Sequence, residues 1–71
     1  MTTIGIVIFD DVEELDFVGP WEVFGAARAM IEKGEAPGVA PWRVQLIAEG
    51  GGPIRCAKGM RVHPDATSSM G

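Results

Sequence analysis

Few residues in this chain have side chains suited to catalysis, and they are unevenly placed. Six of the ten acids fall between Asp10 and Glu22, with no base in that interval. There is a single cysteine, Cys56, and a single histidine, His63. A run of carboxylates can have two uses. On a solvated loop and helix start it complements the positive end of the helix dipole. Alternatively, one acid turns into a crevice at the carboxyl end of a preceding strand, where open α/β sheets place their ligands. Asp16 is the best placed for the second role. It lies between Leu15 and Phe17 and just before Gly19-Pro20, so packing of its neighbours can fix its direction.

Cys56 is the available thiol nucleophile, but a reactive thiolate needs a helix N-terminus, a histidine or cations to stabilise it. Arg55 and Lys58 flank it, yet no helix start follows, and the reading as a structural thiol competes. A Cys56–His63 pair would have to form across a turn, seven residues apart. One histidine and one cysteine cannot complete a metal site without carboxylates or a partner chain. Gly50-Gly51-Gly52 fits neither dinucleotide nor phosphate-loop spacing and reads as a turn. Trp21 and Trp42 read as core or interface residues, not as a base-stacking platform.

The elements that must hold these groups follow from pattern. Ile4 to Phe9 is a short, nearly continuous apolar run rich in β-branched residues, as expected for a strand covered on both faces. From Pro20, the positions Val23, Phe24, Ala27, Met30 and Ile31 trace a helical face, with Gly34 as the stop. Glu13 to Val18 is expected to form a separate helical turn before a break at Gly19-Pro20. Glu35 to Pro41 reads as a loop, and Arg43 to Ala48 as a second strand. Ile54 to Ala57 and Met60 to His63 are expected to pair as short strands around Lys58-Gly59, and Ala66 to Gly71 shows no periodic signal.

Strand, helix and strand make a βαβ unit, but a parallel sheet needs helices on both faces and this chain supplies one long helix. Residues 1–71 are therefore expected to be the N-terminal part of a doubly wound α/β domain. Loss of the remainder would leave Val7, Phe9, Leu46 and Ile47 uncovered. Composition narrows the function. A formal net charge of −4 argues against nucleic-acid binding through a basic surface. No apolar run approaches the roughly 20 residues that cross a bilayer, and no signal-peptide pattern opens the chain. The lone cysteine excludes an internal disulfide framework, so a cytoplasmic location is expected.

Two stretches resemble the ThiJ/PfpI superfamily. One is Ile4 to Phe9 with the segment Glu13-Glu14-Leu15-Asp16-Phe17-Val18-Gly19-Pro20-Trp21-Glu22-Val23-Phe24. The other is Gly59-Met60-Arg61-Val62-His63-Pro64-Asp65-Ala66-Thr67, in which a short strand ends in a Pro-Asp pair. The resemblance implies a flavodoxin-like α/β sandwich, a homodimer or association with the rest of the domain, a small electrophilic substrate, and no metal or organic cofactor. It makes Asp16 the acid that hydrogen-bonds a catalytic cysteine. Aspartate within Leu15-Asp16-Phe17-Val18-Gly19-Pro20 is similar to the isocyanide hydratases and to sensor domains of AraC-type regulators; a glyoxalase or deglycase-type protein is the other alternative. Cys56 lies upstream of the Pro-Asp pair and does not match the family nucleophile. The nucleophile is thus expected beyond these residues, and the chain alone is expected to be inactive.

Overall fold

The first apolar run forms a strand, β1 (Thr2–Val7), in the computed structural model, which describes residues 2–68. The strand ends two residues earlier than the apolar run does. Ile8 still donates its N–H to the Ile47 carbonyl at 2.8 Å, whereas Phe9 turns away and its carbonyl accepts the Val12 N–H at 3.1 Å. Asp11 takes a φ of 72° in this loop, a left-handed conformation that Asp tolerates better than most residues.

Helix α1 (Glu14–Glu32) then runs without interruption through Gly19-Pro20. The expected break there does not occur. Proline inside a helix removes one backbone hydrogen bond and its ring presses on the preceding turn, at about 3 kcal/mol. Gly19 lessens the clash because it has no Cβ for the ring to strike. Tertiary anchors on both sides offset the rest. Phe17 is 3% exposed, a burial that contributes about 1.5–3 kcal/mol. Phe24 sets its ring edge-on to Trp42, centroids 6.4 Å apart at 84°, and its carbonyl accepts the Trp42 indole N–H at 3.2 Å. The inward stripe is Phe17, Phe24, Ala27 and Ile31. Val23 and Met30, expected on that face, lie on the neighbouring stripe and are exposed. The helix stops as expected: Gly34, at φ 80°, donates to Ile31 and Glu35 to Met30, both at 3.0 Å, which is a Schellman closure.

Strand β2 (Trp42–Glu49) pairs in parallel with β1, Thr2 opposite Trp42 and Val7 opposite Ile47. A two-residue antiparallel hairpin follows, β3 (Ile54–Arg55) and β4 (Arg61–Val62), shorter than the sequence pattern suggests. The stretch after Pro64, read as unpatterned, contains a third sheet strand. β5 (Ala66–Ser68) pairs in parallel with the outer edge of β2, giving the order β1-β2-β5. Residues 69–71 of that stretch lie outside the described residues. Three residues carry too little pattern to reveal a strand, and Asp65 supplies what the pattern lacks. Its carboxylate accepts the Leu46 N–H at 2.8 Å while its own N–H donates to the Leu46 carbonyl at 2.8 Å. Asp65 thus splices the incoming chain onto β2 before the ladder begins. Asp65→Ala orphans the Leu46 N–H and is expected to lower stability by about 1–3 kcal/mol, read as faster hydrogen exchange at Leu46 and Ala48.

The two faces of the sheet differ. Ile6, Ile8, Leu46 and Ala48 face α1 and the hairpin, and the core gathers at the carboxyl end of the strands: Ile8, Val12, Phe17, Ala48, Ile54 and Cys56. On the other face Val7 is 68% and Phe9 57% exposed, as expected for a sheet with a helix on one face only. Leu46 departs from that expectation, because it lies on the helix side and packs against the core. The Cα extents of 39 × 26 × 13 Å describe a thin two-layer slab. The accessible area is 5002 Å², against about 4,250 Å² for a closed globule of this mass.

Candidate functional site

The carboxyl ends of β1, β2 and β5 open into a cleft of about 530 Å³, lined by Val7, Ile8, Phe9, Asp10, Ile47, Ala48, Glu49, Ile54 and Ser68. This is the end at which open α/β sheets bind ligands. The loop from β1 into α1 borders it, and the acid-rich run begins there. The structure separates those acids by task. Asp10 accepts the Arg55 N–H through Oδ1 at 3.1 Å. Glu13 pairs with the Lys58 ammonium at 2.8 Å. Glu14 accepts the Lys58 N–H at 3.0 and 3.2 Å and the Met60 N–H at 3.5 Å. All three reach forward to the hairpin. Backbone bonds run alongside them, Asp11 N–H to the Arg55 carbonyl at 2.8 Å and Ala57 N–H to the Val12 carbonyl at 2.9 Å.

Asp16 is different. It lies in the first turn of α1, at the carboxyl end of the sheet, and its N–H donates to the Glu13 carbonyl at 3.0 Å. Its side chain is exposed, and among the described residues it has no hydrogen-bond or ion-pair partner. It does not line the 530 Å³ cleft, and the expectation that packing of both neighbours turns it into that crevice is not met, because Leu15 is 79% exposed and only Phe17 is packed. Phe17, next in sequence, turns the opposite way into the core. The engagement of Asp10, Glu13 and Glu14 with the hairpin was invisible to spacing, because their partners lie 44 to 46 residues away.

Cys56 is buried in the hairpin, 2% exposed. Its N–H donates to the Met60 carbonyl at 2.8 Å, and its carbonyl accepts the Gly59 N–H at 2.9 Å. Gly59, at φ 97°, takes the left-handed position that closes such a three-residue hairpin loop and that a side chain would strain. No helix opens at Cys56. Burial first, and the Glu14 carboxylate second, push its thiol above the ordinary range. This is the reverse of what a nucleophile needs. His63 is exposed beyond β4, and among the described residues no group of three His, Cys, Asp or Glu side chains gathers as a metal site.

Lys58 is also shifted upward, mainly by its bond to Glu13. Both shifts have the same consequence for stability. Each group holds its proton more tightly when folded, so its contribution is full below the unfolded value and fades as pH rises through the folded one. A melting midpoint that falls on the alkaline side is expected, and Cys56→Ser should flatten part of that fall.

The sequence pattern of the DJ-1/PfpI family matches residues 2–69. The chain belongs to the DJ-1/PfpI family, the ThiJ/PfpI superfamily, and its strand–helix–strand sheet with a small hairpin is the corresponding α/β architecture. No curated protein and no solved structure gives a significant match to the chain. Among the described residues, no helix is long and apolar enough to cross a membrane.

Proposed function

We propose that these residues form the N-terminal part of a DJ-1/PfpI-type domain with isocyanide-hydratase-like activity, and that Asp16 is its acid–base residue. The observation that carries this reading is the placing of the acids: Asp10, Glu13 and Glu14 are engaged by the hairpin, and of the three left without a side-chain partner among the described residues (Asp11, Asp16 and Glu22) Asp16 is the one in the first turn of α1, at the carboxyl end of the sheet. Two features support a missing remainder. The face carrying Val7 and Phe9 is bare, and β1 lies at an edge of the sheet although its composition suits a strand enclosed on all sides. In a doubly wound sheet the chain returns to the free side of its first strand, and the crevice opens at that switch point.

In this reading a cysteine on the remainder approaches Asp16 from the free side of β1. Its sulfur attacks the isocyanide carbon, and the Asp16 carboxyl group holds the thiol and passes a proton during attack and hydration. One partner of the pair must carry a proton, since two anions in contact repel. Thiol addition leaves a thioimidate; water then adds to its carbon, the C–S bond breaks to return the cysteine thiol, and the product is an N-substituted formamide. The test is turnover by the complete protein of an isocyanide against methylglyoxal. Formamide production supports the hydratase reading. Turnover of methylglyoxal alone replaces it with a deglycase-type activity. Binding without turnover, with a basic helix-turn-helix segment downstream, replaces it with an AraC-type sensor.

A further inference from the structure

We propose that Glu14 is a positioning residue for Asp16, holding the first turn of α1 in register by gripping the tip of the β3–β4 hairpin. The inference rests on the role proposed above for Asp16. The hairpin loop closes on itself through Cys56 and Gly59, which leaves the N–H groups of Lys58 and Met60 outside the ladder. At this exposed tip such donors bond either to water or to a nearby acceptor. The half-buried Glu14 carboxylate takes both, Lys58 N–H at 3.0 and 3.2 Å and Met60 N–H, longer, at 3.5 Å.

The helix needs such an anchor. Its N-cap residue, Glu13, makes no side-chain capping bond, so the usual local fastening of a first turn is missing. The Glu13–Lys58 ion pair is exposed and adds little in water. Glu14 therefore fixes the turn by a tertiary contact, two residues before Asp16 on the same rigid backbone. The Asp16 N–H bond to the Glu13 carbonyl closes that turn. A carboxyl group that must sit within hydrogen-bond reach of a thiol is sensitive to its base: a displacement of about 1 Å can lower turnover by 10²-fold.

The experiment is steady-state turnover of an isocyanide by the complete protein, with melting midpoints recorded for each variant. Glu14→Ala is expected to lower kcat by about 10- to 10²-fold with KM nearly unchanged. Glu14→Gln, which keeps one acceptor oxygen, should recover most of the loss. A lowered midpoint with wild-type kcat per folded molecule would mean a structural role alone and overturns the inference. Should Glu14→Ala fail to fold, Glu14→Asp decides. Its carboxylate falls one methylene short of the hairpin, so reduced kcat at constant KM supports the inference and wild-type kcat overturns it. Asp16→Ala separates the two claims. If it abolishes turnover while the Glu14 variants do not, positioning by Glu14 alone is wrong. If it leaves turnover intact, the role of Asp16 fails and this inference with it.

Discussion

Asp16→Ala in the complete protein is expected to lower kcat/KM for an isocyanide by about 10²–10⁴-fold, the range that a positioned acid–base group supplies. The melting midpoint should barely move. The Asp16 side chain makes no hydrogen bond or ion pair among the described residues, so its truncation removes no contact that holds α1 to the sheet or hairpin. Loss of rate without loss of fold is thus the signature. Asp16→Asn should be as damaging as Ala, because an amide keeps the size and much of the hydrogen bonding but cannot carry the proton. Cys56→Ser provides the contrast. Its thiol is buried and pushed upward by burial and by Glu14, so its replacement should disturb packing and leave kcat in place. Wild-type kcat/KM in Asp16→Ala, or an inactive Cys56→Ser that remains folded, would remove the basis for the proposed chemistry.

The largest expected effect on stability is at Phe17. Truncation of a buried phenylalanine to alanine costs about 3–5 kcal/mol, a large share of the 5–15 kcal/mol that holds a typical domain together. Phe17 is the buried residue of α1 and packs with Ile8, Val12, Ala48, Ile54 and Cys56. Removing its ring takes the helix off the core at the end where Asp10, Glu13 and Glu14 meet the hairpin. Urea denaturation of the complete protein should show the midpoint of Phe17→Ala falling by roughly 2 M, for a slope near 2 kcal/mol/M. Phe24→Ala is expected to cost clearly less, since Phe24 is 37% exposed and meets Trp42 edge-on. Equal losses from the two would mean that α1 is held along its whole length and not chiefly by its first turn.

The βαβ core of this protein was legible from local pattern. A β-branched run from Ile4, a helix beyond Pro20 with its stop at Gly34, and a second strand from Arg43 to Ala48 all depend on neighbours a few residues apart, although Val23 and Met30 of the expected helical face are exposed. The bare face was legible too, because two parallel strands with one helix leave a face uncovered, and Val7 and Phe9 are exposed there. What sequence could not decide depends on distant partners. Proline 20 reads locally as a break, yet burial of Phe17 and the Phe24–Trp42 contact carry the helix through it. The segment after Pro64 has too few residues for a strand signal, and becomes one because Asp65 bonds both backbone groups of Leu46, 19 residues back. The run of acids from Asp10 to Glu22 has the same composition whether its members are solvated, structural or poised for chemistry. The hairpin sorts them, since its unpaired backbone N–H groups and the Lys58 ammonium draw in Asp10, Glu13 and Glu14 and leave Asp11, Asp16 and Glu22 without side-chain partners among the described residues.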